Sequence, residues 1–186
     1  MSFFGTLIQG NEGGLNADGL TPTQKVTLRA VIVGVLYYGL CAIEGMLMRA
    51  HAISPIELLE ENSHYFSVMT VHPIVGIFGS TYLIVFGAFT FLVPHLMNKP
   101  LYSVKLANAT WMLIAGGALM SWLGGFIFHY APLYTLYWPL PVDFKQYDAV
   151  VGAVFIIGVA VIMIGTLGFI YNIFATVFYT EEGHEK

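Results

Sequence analysis

Apolar residues run almost unbroken through four stretches of this chain, and short polar stretches separate them. The apolar runs cover about residues 27–48, 66–97, 106–130 and 149–179. Each is long enough to cross ~30 Å of hydrocarbon as a helix. The second and fourth, at ~30 residues, are longer than a perpendicular crossing needs, so they are expected to tilt, bend or protrude. No soluble domain, repeat or low-complexity tract appears beside them. The pattern predicts an all-α membrane protein: one four-helix transmembrane domain over 26–179, a loosely ordered polar tail over 1–25 and a polar tail over 180–186. The first tail lacks the basic start and short apolar core of a cleaved signal peptide.

Composition agrees. Of 186 residues, 57% are hydrophobic and 10% charged, against about 25% charged in soluble domains. The net charge of −4 is spread over loops and tails and suggests no nucleic-acid partner. The lone cysteine, Cys41, lies inside an apolar run and says nothing about redox compartment. Lys25, Arg29, Lys99, Lys105 and Lys186 fall on one side of the four spans, Arg49 and Lys145 on the other. The bias predicts cytoplasmic termini. Arg49, His51, His64, His72, His129 and Asp148 then lie toward the outer face, with Tyr130, Tyr134, Tyr137 and Trp138 as an interfacial aromatic belt. His95 and His184 lie toward the cytoplasm. Glycines recur in all four runs, as expected where a membrane helix packs closely on another helix or a flat cofactor.

Two ionisable side chains inside the runs are candidates for chemistry. His72 stands about one and a half turns into the second run, where an ionisable group is expensive and points to function. A neutral imidazole there suits an axial haem ligand. At helical spacing Gly76 and Gly79 share its face and leave a flat surface on which a porphyrin plane could lie. Pro73 leaves the Met69 carbonyl without its helical partner, so the helix should bend. On the residues alone, a polar histidine hydrogen-bonded between packed helices fits as well. Glu44 lies deep in the first run as a polar or proton site, or as a protonated packing residue. Its five-residue spacing from Arg49 puts the two on different helix faces. Arg49 suits either a haem propionate or formyl or lipid phosphate. His129, at the outer end of the third run, is a candidate second ligand, although it lies shallower than His72. No H-E-x-x-H or similar metal spacing occurs.

The order of several motifs resembles subunit I of the haem-copper oxidases. Leu47-Met48-Arg49-Ala50-His51 is similar to the end of that family's first helix, where an Arg contacts a low-spin haem. Tyr65, Thr70-Val71-His72 and Phe78 resemble its second-helix motif, in which the His ligates that haem. Phe91-Leu92-Val93-Pro94, Asn108-Ala109-Thr110-Trp111 and the Tyr134-to-Leu140 loop resemble its later landmarks in the same order. The resemblance covers about 35–178 and implies one bond from His72 to a low-spin haem of a or b type. It also implies contacts from Arg49, Tyr65, Thr70 and Tyr134.

The departures carry information too. The family's His-Gly is His72-Pro73 here, and its Met four residues on is Gly76. Leu101-Tyr102 stands where an acidic residue opens one proton channel, and apolar residues around 161–164 replace its serines. The family's core has about twelve helices, against four here. The polar 180–186 tail reads as a natural terminus, so the resemblance implies a divided subunit I in a prokaryotic cell membrane. A partner chain would then hold the high-spin haem and copper, other oxidase subunits would complete the assembly, and quinol or a small redox protein would donate electrons. In that setting the chain takes part in reducing oxygen to water, with proton translocation an open question, and has no activity alone. Two alternatives stand: a self-contained four-helix cytochrome b with His72 and His129 as axial pair, and a cofactor-free membrane subunit.

Overall fold

The computed structural model describes residues 19–60, 64–132 and 148–180. Residues 1–18 and 181–186 of the polar tails, the latter with His184, and the Tyr134 loop with Tyr137 and Trp138 lie outside those residues. The described residues form α1 (Pro22–Ile53), a short α2 (Glu57–Glu60), α3 (His64–Pro73), α4 (Tyr82–Met97), α5 (Val104–Trp122) and α6 (Ala149–Tyr179). A π-helical stretch, Ile74–Thr81, joins α3 to α4, and another, Leu123–Ile127, extends α5. Together these make four spans long and apolar enough to cross a membrane: Pro22–Ile53, His64–Met97, Val104–Ile127 and Ala149–Tyr179. The chain is a multi-pass, all-helical membrane protein.

Local chemistry sets the span ends. The first helix starts before the apolar run because Thr21 and Gln24 cap it reciprocally. Thr21 Oγ1 accepts from the Gln24 N–H at 3.2 Å, and Gln24 Oε1 accepts from the Thr21 N–H at 2.9 Å. Pro22 follows at the first helical position, where its missing N–H costs nothing. At the other end the Ile56 N–H donates to His51 Nδ1 at 3.0 Å, which ties off the turn into α2. Asn98, in the left-handed region at φ 51°, stops the second span, a conformation that Asn tolerates. Ser103 and Asp148 cap the third and fourth.

Pro73 does more than bend its helix. From the next residue the backbone widens to π spacing, and the Tyr82 N–H bonds to the Ile77 carbonyl five residues back. Such a turn accommodates a broken ladder without leaving the helix. Buried threonines in the spans donate to their own helix; Thr70, Thr90 and Thr110 bond to the carbonyls of Phe66, Phe86 and Leu106. Hydroxyls in hydrocarbon need such acceptors.

The packing is typical of membrane helices, with small and polar groups inside and large apolar ones outside. Leu36, Leu167 and Phe178 are exposed, while Ser67, Thr70 and Ser121 are fully buried. The third and fourth spans meet at Gly117 and Gly158, where a Cβ on Gly117 would stand 2.5 Å from the Gly158 carbonyl oxygen. The first and second spans meet along Gly34 and Gly87. Val71, Ile74, Ala118, Tyr130, Phe155 and Ile162 form the central core. At one end Asn172 Oδ1 accepts from the Ser103 N–H at 3.1 Å, and its Nδ2 donates to the Ser103 carbonyl at 3.0 Å.

Candidate functional site

His72 sits where the first three spans converge. It is the last residue but one of α3, directly before the widened turn. Its side chain is 33% exposed. The imidazole edge bearing Cε1 lies over Gly45 of the first span, where a Cβ would stand 3.3 Å from Cε1. Cys41 Sγ is 3.4 Å from Nδ1 and 3.9 Å from Nε2. The thiol also reaches the His72 carbonyl at 3.6 Å. Glu44 Oε2 stands 3.8 Å from Nδ1. No described residue gives either ring nitrogen a normal-length bond to oxygen or nitrogen.

Glu44 is 1% exposed. Its Oε1 accepts from the Trp122 indole N–H, at the end of α5, at 2.7 Å, while Oε2 is buried without a hydrogen-bond partner among the described residues. The carboxyl thus ties the first span to the third and faces the second. As its spacing suggested, it does not pair with Arg49. Arg49 is exposed at the end of the first span, and no described acid pairs with it.

The remaining candidates divide. His72, Gly76 and Gly79 do share one face, but the first span already lies on it. A Cβ on Gly76 would meet Cys41 Sγ at 2.7 Å, and one on Gly79 would meet the Tyr37 ring at 3.1 Å. That flat surface serves helix packing, and a porphyrin plane would have to lie elsewhere around the exposed part of the imidazole. Tyr65 packs on His51, ring centroids 5.4 Å apart. Thr70 is fully buried and its hydroxyl donates to the Phe66 carbonyl. Tyr134 lies outside the described residues.

His129 is not beside His72. It takes a left-handed conformation, φ 56°, and its ring stacks on His64 at 4.1 Å. His64 is eight residues before His72, or ~12 Å along a helix at ~1.5 Å per residue. His64 is itself held through Nδ1 by the Leu58 carbonyl at 2.8 Å. Two imidazoles at those different levels do not reach one iron from opposite sides, so the cytochrome b pairing of His72 with His129 is not the arrangement found.

Sequence reasoning missed Cys41, Gly45 and Trp122. A signal for the first two was present: Cys41, Glu44, Gly45 and Met48 follow helical i, i+3, i+4, i+7 spacing, a small and polar stripe in an apolar helix. Trp122 had none, because its partner is 78 residues away.

The residues fit an axial haem ligand in one respect that the structure itself provides. His72 is an incompletely satisfied imidazole, a third exposed, with a carboxyl oxygen facing Nδ1. They do not form a closed haem pocket among the described residues, which contain no cluster of three or more His, Cys, Asp or Glu able to hold a metal ion.

The sequence model of the family described as Cytochrome C and Quinol oxidase polypeptide I matches residues 25–186. A curated relative, the cytochrome c oxidase subunit 1 homolog of Agrobacterium tumefaciens (strain T37), is 31% identical over 104 residues. The aligned part is 53% of this chain and 18% of that protein, so the chain matches under a fifth of the relative's length. No solved structure matches. With four membrane-spanning helices and a family match over nearly its whole length, this chain belongs to the cytochrome c and quinol oxidase polypeptide I family.

Proposed function

We propose that this chain forms the N-terminal four helices of a haem-copper terminal oxidase core and supplies one axial ligand, His72, to a low-spin haem. The observation that carries the reading is the state of that imidazole. It lies inside the second span, it stays a third exposed, and a carboxyl oxygen faces Nδ1 while no described residue occupies Nε2 with a normal-length hydrogen bond. An exposed ring nitrogen left open within an apolar span suits a ligand from outside the described residues.

Each neighbour has a part. Gly45 and Cys41 set how closely the ring approaches the first span. Arg49, exposed at the outer end of that span, offers a guanidinium to the haem periphery. Thr70 and the Tyr65–His51 pair hold the outer half of the second span in place. A bound haem would supply one-electron transfer, and the chain's residues would hold it and orient its ligand.

The second axial nitrogen comes from helices outside these residues, because His129 is engaged with His64. The high-spin haem and copper belong to the same remainder, a separate polypeptide on this reading, with other oxidase subunits beside it. Electrons arrive from quinol or a small redox protein, and oxygen is reduced to water in that remainder. The chain lies in a prokaryotic cell membrane with cytoplasmic termini and is inactive alone.

The test is to purify the assembly from its native membrane in mild detergent, identify its polypeptides and record visible spectra of wild type and His72→Ala. The expected result is a multi-chain complex whose low-spin haem signal disappears in the variant. A catalytically complete single chain, or an unchanged low-spin signal in His72→Ala, would overturn the proposal.

A further inference from the structure

Glu44 is a buried group that the haem-ligand reading leaves without a task. Its carboxyl sits between three spans. Trp122 has only one hydrogen-bonding atom, an indole N–H donor, and it engages Oε1 at 2.7 Å. Holding that oxygen restricts where the other can lie. The other oxygen, Oε2, is buried and lacks a hydrogen-bond partner among the described residues, and it stands 3.8 Å from His72 Nδ1. Gly45 makes the approach feasible, since a side chain there would press on the imidazole edge. Cys41 confines the ring from the same helix, with Sγ 3.4 Å from Nδ1.

We infer that Glu44, aimed by Trp122, is a positioning residue for His72, its Oε2 accepting the Nδ1–H and so leaving Nε2 as the nitrogen presented to iron. The inference rests on His72 being the haem ligand. The separation is longer than a hydrogen bond, and a small rotation of the imidazole to about 3 Å completes it. Hydrogen bonds of this kind commonly tighten when a site is occupied. A ligating histidine that donates its other N–H to a carboxylate is held in one tautomer and orientation and becomes a stronger base. A more basic axial nitrogen favours ferric iron and lowers the haem potential. Three spans of this chain would then set the properties of one axial bond.

The experiment uses the intact complex from native membranes. The low-spin haem is titrated optically against potential, and its ferric form is examined by electron paramagnetic resonance, in wild type, Glu44→Gln, Glu44→Asp, Trp122→Phe and His72→Ala. In Glu44→Gln an amide oxygen still accepts from Trp122, but the amide nitrogen cannot accept the Nδ1–H. The expected result is retained haem and a higher midpoint potential. The ferric-to-ferrous ratio at fixed potential should fall about tenfold, equivalent to ~59 mV for one electron, with altered resonance positions. Glu44→Asp recovers part of the shift, and Trp122→Phe moves the potential the same way by less. Haem retained in Glu44→Gln at wild-type potential and resonance overturns the inference, while loss of low-spin signal in His72→Ala leaves the ligand reading standing. A low-spin signal that survives His72→Ala overturns the ligand reading itself. Should Glu44→Gln fail to assemble, Trp122→Phe decides, and an unshifted potential there counts against the inference.

Discussion

The indole N–H of Trp122 donates to the Glu44 carboxyl at 2.7 Å and fastens the third span to the first through a group that is 1% exposed. Trp122→Phe keeps the ring volume and removes the donor, leaving both carboxyl oxygens buried without a described partner. Loss of a buried partner costs about 1–3 kcal/mol. A lower unfolding temperature of the detergent-solubilised complex is expected. The double variant Trp122→Phe with Glu44→Leu should recover part of that loss, because it removes the buried carboxyl that the single variant leaves without its donor. A double variant no more stable than Trp122→Phe would show that this bond does not stabilise the bundle.

Neighbouring glycines in the third span should respond oppositely to one methyl group. A Cβ on Gly117 would stand 2.5 Å from the Gly158 carbonyl oxygen and 2.9 Å from the Ile162 backbone nitrogen, whereas one on Gly116 would meet nothing within 4 Å. Backbone atoms of a packed helix cannot move aside singly. Gly117→Ala is therefore expected to force the third and fourth spans apart at about 1–3 kcal/mol, with reduced yield and unfolding temperature. Gly116→Ala should be neutral or slightly stabilising. Equal behaviour of the two variants would contradict the packing described.

Much of the fold was legible in the chain, and the limits were physical. Hydropathy located the four spans because lipid leaves a helix few alternatives. The span ends were less legible. Thr21 and Gln24 start the first helix within residues read as a polar tail, through a cap that hydropathy does not register. Pro73 signalled a disturbance, but not that the disturbance would be a π-helical stretch over Ile74–Thr81. At the site, His72 and Glu44 stood out because charge in an apolar run is costly. Their proximity did not, since it depends on how two separate helices rotate against each other. Gly76 and Gly79 illustrate the same gap: their small size announced a close neighbour, and only the packing showed that neighbour to be Cys41 and Tyr37.

Asn172 predicts a local effect rather than a global one. It makes both of its bonds to the backbone of Ser103, the residue that caps the third span. Asn172→Leu should free that loop at about 2 kcal/mol for the two bonds lost. Hydrogen exchange at residues 98–103 is expected to quicken, with the core around Phe155 unaffected. Asn172→Asp keeps the acceptor and loses the donor, so it should fall between. Unchanged exchange at residues 98–103 in Asn172→Leu would show that other contacts hold the loop.

His129 separates the two ways this chain could hold an iron. A self-contained four-helix cytochrome would need its imidazole opposite that of His72. Instead its ring lies 4.1 Å from that of His64, nearly parallel at 21°. His64 is fixed by the Leu58 carbonyl and flanked edge-on by Phe126. That group closes one end of the bundle well away from His72, so His129→Ala removes a stacking partner and, on the proposed reading, no bond to iron. The variant is expected to keep the low-spin haem spectrum of the native complex and to lose up to about 1 kcal/mol of stability, the scale of an aromatic pair. His72→Ala, examined beside it, should lose the low-spin signal. Loss of that signal in both variants would return the ligand pair to this chain alone and remove the need for a nitrogen from outside it.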